Sequence, residues 1–195
     1  MKKTVFEKTI RQLFDSALEL HEFSCNKSKH CTFYRIISDE VIHIIIPDQG
    51  RNLEYYDIKV FPASPVFDPL FEKKFPDNLT VPTDIYSYMH PISGIGFDQY
   101  YFNSENEFKM RKEFENQIRS LLINIAIPYL NQFGSLDDII PFVKNKLMKG
   151  IGLVHLGQKE QGFEILNNEL NRLQSLNSSD ITVVSYIEYI KKIIN

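Results

Sequence analysis

Apolar residues recur every three or four positions through residues 4–22, at Phe6, Ile10, Leu13, Phe14, Ala17, Leu18 and Leu20, with Lys8, Arg11, Asp15 and Glu19 between them. That spacing predicts an amphipathic helix packed along one side. The period then changes. After the polar stretch 24–29, residues 32–38 are aromatic and β-branched, residues 41–46 are apolar except at His43, and Tyr56, Ile58 and Val60 alternate with Tyr55, Asp57 and Lys59. Period two predicts strands over 32–38, 41–46 and 54–61, the second ending at Pro47 and a tight turn at 38–40 joining the first two. A strand apolar on both faces is expected in the centre of its sheet, covered by helix on one side and partly on the other.

Residues 62–82 carry five prolines, at 62, 65, 69, 76 and 82. A central strand does not tolerate so many missing amide donors, which makes this an irregular excursion whose Phe67, Phe71 and Phe75 anchor either the chain itself or a partner. Strands over 85–90 and 97–102 follow. Gly94-Ile95-Gly96 between them lacks the third glycine and the strand-to-helix context of a dinucleotide site. From residue 104 the pattern is helical. Ser104 to Glu107 matches a capping box and opens a helix through Phe114, Ile118, Leu121, Leu122 and Ile125 that Pro128 kinks or ends. Ser135 recaps a helix over 136–148 with a break near Pro141, and Asp137 and Asp138 suit its first turn. Residues 144–173 read as a helical hairpin, with Gly150, Leu153, Gly157, Gly162 and Leu166 at spacings that resemble one tetratricopeptide-type unit, small residues that let the helices approach, and no second copy. A last helix over 179–194 turns Ile181, Val184, Ile187, either Tyr189 or Ile190, and Ile194 inward.

The fold class that follows is α+β: a mostly antiparallel sheet flanked by an N-terminal helix, then a C-terminal helical extension. The boundaries are an α+β sheet domain over 1–133 and an extension over 134–195, a helical hairpin plus terminal helix packed on the first. At 195 residues with 43% hydrophobic side chains, the chain can bury a core without staples. Its net charge of −3 argues against a nucleic-acid partner, because phosphate binding draws its affinity from an excess of Lys and Arg. No apolar run is long enough for a membrane span, and charged residues interrupt the N-terminal segment before a signal peptide forms, so a cytoplasmic protein starting near Met1 is expected.

His21, Cys25, His30 and Cys31 bring four potential zinc ligands into one segment, but their order departs from the paired spacing of zinc modules and places two ligands side by side. Reduced thiols and no metal are expected. No nucleophile motif, phosphate loop or cofactor fingerprint occurs, so no catalytic residue is assigned and no cofactor is expected. The candidate binding residues are His43, Tyr55, Tyr86, Tyr88, His90 and Tyr100. They share the sheet face opposite the N-terminal helix if the strands are adjacent and antiparallel. The other reading of that face is that tyrosines decorate a half-buried sheet and the C-terminal helices cover it.

The segments Leu18-Glu19-Leu20-His21-Glu22-Phe23, Phe33-Tyr34-Arg35, Val41-Ile42-His43-Ile44-Ile45 and Pro128-Tyr129-Leu130 to Ser135-Leu136 resemble a bacterial family known only as a domain of unknown function. The likeness spans the first two thirds of the chain, and Pro47-Asp48-Gln49-Gly50 departs from that family's second strand. It implies an α+β sheet domain and transfers no catalytic residue; by analogy it suggests an immunity or accessory role beside bacterial toxins. The sequence thus leaves two readings. One is a non-enzymatic protein-interaction module with a protein partner, for which Phe67, Phe71 and Phe75 are the anchors. The other is a small-ligand-binding protein or enzyme that uses the His/Tyr face.

Overall fold

The structure, a computed structural model, describes residues 2–26, 31–49, 54–67, 90–91, 102–176, 179 and 181–194. Helix α1 (Lys3–Leu18) buries Phe6, Ile10, Leu13, Phe14, Ala17 and Leu18, the stripe its spacing predicts. Leu20 departs from that stripe. Beyond Leu18 the helix tightens into a 3₁₀ turn, Glu19–His21, which rotates Leu20 out to 90% exposure. Glu22, at φ 65°, then reverses the chain.

Strand β1 (Ser24–Asn26) lies inside the stretch expected as a loop, and pairs antiparallel with β2 (Thr32–Ile36). The meander continues through β3 (Ile42–Asp48) and β4 (Tyr55–Ala63). Of the strands expected over 85–90 and 97–102, all but the last residue of each lies outside the described residues. β5 (His90–Pro91) pairs with β4 at Lys59 and Val60, and β6 (Phe102–Asn103) pairs with it at Tyr55 and Tyr56. Every pairing among the described residues is antiparallel, in the order β1-β2-β3-β4-β5 with β6 beside the start of β4. Strand β3 runs through Pro47 rather than stopping there, and β4 includes Pro62. Pairing of β2 with β3 has already stopped at Ile45, and β4 leaves β3 at Ala63. Each proline therefore removes a donor near an end of the ladder, where the loss is tolerated.

Both faces of β3 are buried. On one, Phe33, Ile45, Tyr56, Ile58 and Val60 pack with Phe14 of α1 and with Phe114, Leu122 and Leu130 of the long helix over 107–130. On the other, Ile42, Ile44, Phe61 and Ala63 pack with Leu136, Ile139, Met148 and Leu153. Residues beyond 133 thus complete the sheet's second core, and the α+β class holds for the whole arrangement.

The long helix comprises α2 (Glu107–Glu113), a π turn (Phe114–Ile118), α3 (Arg119–Leu121), a second π turn (Leu122–Ala126) and α4 (Ile127–Leu130) without interruption. Its cap is Asn106, which accepts from the Lys109 N–H at 3.0 Å. The predicted cap, Ser104, is instead buried and donates its N–H to the Glu54 carbonyl at 2.6 Å. Pro128 falls inside the helix. The π turn directly before it widens the backbone where a proline ring meets the carbonyl four residues back. Asp138 accepts from the Ser135 N–H and hydroxyl, both at 2.8 Å, and these bonds hold its carboxyl below the usual range at the start of α5 (Leu136–Ile139).

A 3₁₀ turn at Ile140–Phe142 breaks the helix at Pro141, and α6 (Lys146–His155) and α7 (Lys159–Ser175) form the expected hairpin. It turns on Gly157, at φ 79°, whose N–H donates to the Val154 carbonyl while that of Gln158 donates to Leu153. These bonds close α6 with a Schellman cap. α8 (Ile181–Ile194) packs on α7 with Ile190 fully buried in a small cluster with Ile151, Leu166 and Leu173. Val184, expected inward, is 41% exposed, because the face of α8 that packs carries Val183, Tyr186, Ile187 and Ile190 and Val184 falls beside it. Among the described residues no helix is long and apolar enough to cross a membrane.

The α6–α7 contact is close because Gly150 and Gly162 face one another. A Cβ on Gly162 would sit 2.6 Å from Val154 Cγ2 and 3.0 Å from the Gly150 carbonyl oxygen. Gly162→Ala is therefore expected to lower unfolding free energy by roughly 1–3 kcal/mol. Gly134→Ala, whose Cβ meets nothing nearer than 3.9 Å, is expected to stay within about 0.5 kcal/mol of wild type. Urea titration of both variants compares them directly.

Candidate functional site

His43 does not join a His/Tyr surface. Register places it beside Arg35 on one side and Pro62 on the other, on the same face as Ile45, which is the face that α1 covers. It is 1% exposed. Its Nε2 donates to the Phe133 carbonyl at 2.8 Å and its Nδ1 accepts from Arg35 Nη2 at 2.9 Å, so the ring is neutral and both nitrogens are occupied. Tyr55 lies on the opposite face, since strand neighbours alternate and Tyr56 joins the α1 side. It is 43% exposed, at the end of β4 that pairs with β6. His90 pairs with Val60 through the backbone. Tyr86, Tyr88 and Tyr100 lie outside the described residues, as do Phe71 and Phe75. The structure thus separates His43 from Tyr55, because a strand apolar on both faces gives no alternation from which to read the direction of its one polar side chain.

Arg35 has a second role beside His43. Its Nη2 also donates to Asn131 Oδ1 at 2.6 Å, its Nη1 donates to the His21 carbonyl at 3.3 Å, and its guanidinium lies 5.0 Å above the Phe23 ring. Burial pushes its pKa down. One side chain therefore joins β2, β3, the end of the α1 segment and the end of the long helix. This is a structural clamp, closed to a ligand.

Open space lies elsewhere. A cleft of about 410 Å³ is bounded by the start of α6, the last turns of α7, the start of α8 and the 3₁₀ turn Pro65–Phe67. Phe67, Leu147, Leu173 and Val183 supply its apolar wall. Phe67, expected as an exposed anchor, is only 3% exposed and packs with Met148 and Leu153 in the second core. It serves the cleft as wall rather than as a projecting side chain. At the rim, Lys144 and Lys146 are exposed, and neither forms an ion pair among the described residues. Glu169 is buried, and its carboxylate is held by Arg172 Nε at 2.5 Å. A buried carboxylate requires such a partner. The Arg172 side chain is itself 58% exposed, so its remaining donors face solvent beside the two lysines. Asn145 caps α6 by accepting from the Met148 N–H at 3.2 Å, which fixes where the lysines on either side emerge.

Sequence reasoning missed this site because its walls come from residues 67, 144–148, 169–173 and 183–186, brought together only by the turns between helices. The one legible signal was the basic pair flanking Asn145. Of the four potential zinc ligands, Cys25 and Cys31 are not disulfide-bonded in the structure and His30 lies outside the described residues. Among the described residues no group of three or more His, Cys, Asp or Glu side chains is placed to hold a metal ion. Comparisons with protein-family models, curated proteins and solved structures return no match.

The clamp at His43 has a pH signature. Burial first, and then the Arg35 charge, push the His43 pKa down to about 4, against the opposing effect of its bond to Phe133. An unfolded histidine titrates near ~6.5, so between these values the unfolded chain binds the extra proton. The contribution of neutral His43 to stability is complete above about pH 6.5 and is lost as pH falls toward about 4, by up to about 3 kcal/mol. In urea titrations across that range, His43→Gln is expected to flatten the pH dependence by up to one proton. Parallel profiles for variant and wild type would contradict the assignment.

Proposed function

We propose that the chain is a non-enzymatic protein-interaction module, and that the cleft between α6, α7 and α8 receives an acidic segment of a protein partner. The observation that carries this reading is a cleft of about 410 Å³ whose rim holds Lys144, Lys146 and Arg172 above an apolar wall. An acidic segment bearing one apolar side chain matches both features: its carboxylates meet the lysines, and the apolar group enters against Phe67 and Leu173. The chain's overall charge of −3 makes this local basic rim selective by contrast with the rest of the surface. One-to-one capture of this kind also suits an immunity or accessory protein in a bacterial cytoplasm, the role suggested by the resemblance of the first two thirds of the chain. The reading based on a His/Tyr face has less support, since both ring nitrogens of His43 are already engaged.

A photo-crosslinking amino acid at position 146 is expected to capture a single protein in the producing cells, whereas the same group at Ser120, exposed on the long helix, captures none. With that partner purified, Lys144→Glu with Lys146→Glu is expected to weaken binding by about tenfold or more, mainly through slower association, and to flatten the salt dependence. Its thermal midpoint should match wild type, because both lysines are exposed. Equal capture from positions 120 and 146, or binding indifferent to the charge reversal, would contradict the cleft as the docking site.

A further inference from the structure

The seam where α1 crosses the β1–β2 hairpin brings together the only two cysteines of the chain. Register sets Cys25 opposite Phe33 and Asn26 opposite Thr32, so Cys31 lies diagonally across the hairpin from Cys25. Both are on the face of Phe33, by the two-residue period of β2 and by cross-strand pairing. Cys31 is 3% exposed and Cys25 is half-buried against the same core. The two thiols interact electrostatically with each other, and the Arg11 guanidinium, reaching down from α1, sets a positive charge beside both.

We propose that Cys25 and Cys31 are a reversible dithiol–disulfide couple, oxidised by a small hydroperoxide, with Cys31 as the attacking sulfur and Cys25 as the resolving one.

The surroundings set these roles. The interaction with Cys25 lowers the Cys31 thiol to about 7; burial opposes this and Arg11 assists it. The same interaction raises Cys25, which therefore keeps its proton, and burial acts in the same direction. Arg11 is opposed by its own burial, but the sulfur charges outweigh this and raise its pKa. Two other groups of α1 face the pair. The Glu7 carbonyl accepts from the protonated Cys31 thiol at 3.3 Å, and Glu7 and Asp15 supply negative charge that Arg11 must offset.

The chemistry closes without a metal. The Cys31 thiolate attacks one oxygen of the hydroperoxide, the O–O bond breaks, and the departing alkoxide takes a proton to become an alcohol, leaving Cys31 as a sulfenic acid. Cys25 sulfur then attacks Cys31 sulfur, the S–O bond breaks, and hydroxide leaves with the Cys25 proton as water. Two electrons pass from the sulfur pair to the peroxide. Bond formation draws the two sulfurs together from their diagonal placement, and the displacement falls on β1, a three-residue strand paired on one side only among the described residues. A bulky disulfide oxidant is excluded by the burial of Cys31, which is why the oxidant is assigned to a small peroxide.

The test uses the full chain, reduced and then exposed to equimolar hydrogen peroxide at pH 7, alkylated under denaturing conditions and digested with trypsin without reductant. Cleavage after Lys27 and Lys29 separates the cysteines, so an internal disulfide appears as peptide 12–27 linked to peptide 30–35, with the intact chain lighter by two hydrogens and restored by dithiothreitol. In Cys25→Ser, a sulfenic acid at Cys31 is expected to accumulate and react with dimedone, whereas Cys31→Ser leaves Cys25 largely unoxidised. Arg11→Gln is expected to slow Cys31 alkylation at pH 7 about threefold or more, as its thiolate fraction falls. The proposal is overturned by a disulfide-linked dimer, by overoxidation of Cys31 with Cys25 still alkylatable, by persistence of both thiols, or by dimedone labelling in the reverse variant.

Discussion

The structure depends on the burial of β3 on both faces. Four isoleucines in a row of five positions, interrupted only by His43, leave this strand no side that tolerates water. The chain must therefore supply helices to two faces rather than one. It does so in sequence order: α1 and the helix over 107–130 close over Ile45, and α5 and α6 close over Ile42 and Ile44. Everything after Leu130 follows from the need to carry the chain from one face to the other. Burying one isoleucine side chain contributes roughly 1.5–3 kcal/mol, so leaving the second face bare would forfeit most of the stability of a domain this size.

The crossing point between faces is where the polar interactions concentrate. His43 on β3 donates to the carbonyl of Phe133, and Arg35 on β2 reaches both His43 and Asn131. These bonds fix the end of the long helix against the sheet just before Phe133 enters the second core and Leu136 begins the next helix. Neutral His43 suits the position because it offers one donor and one acceptor in opposite directions. The cleft is a further consequence of the crossing. Helices α6, α7 and α8 stack outward from the second core, and the third cluster that joins them is small, so their near ends diverge around Phe67 and Met148.

Much of this was legible in the sequence, and the reasons for the rest are specific. The three- and four-residue spacing of α1 and the alternation of Tyr56, Ile58 and Val60 gave both elements and their buried faces. Strand β1 left no trace because an edge strand of Ser, Cys and Asn pairs through its backbone. Leu20 kept the apolar identity but lost the face when the helix tightened to 3₁₀. Ser104 matched a capping box in composition, but it is buried with its N–H on the Glu54 carbonyl, and the helix starts two residues on, where Asn106 caps it. The glycines of the α6–α7 hairpin were legible because close helix contact leaves no alternative residue. The cleft was not, since its wall and rim come from four separate stretches and only the lysines beside Asn145 stand out locally.

Hydrogen exchange on the full chain tests the central claim that the two cores close on one strand. If β3 is held from both faces, the amides of Ile44 and Ile45 and those in the middle of α6 exchange only through the same global opening, with equal free energies and equal response to denaturant. Exchange of α6 through a lower-energy opening that leaves Ile44 protected would show that the C-terminal helices sit on a sheet stable without them, and the account would fail.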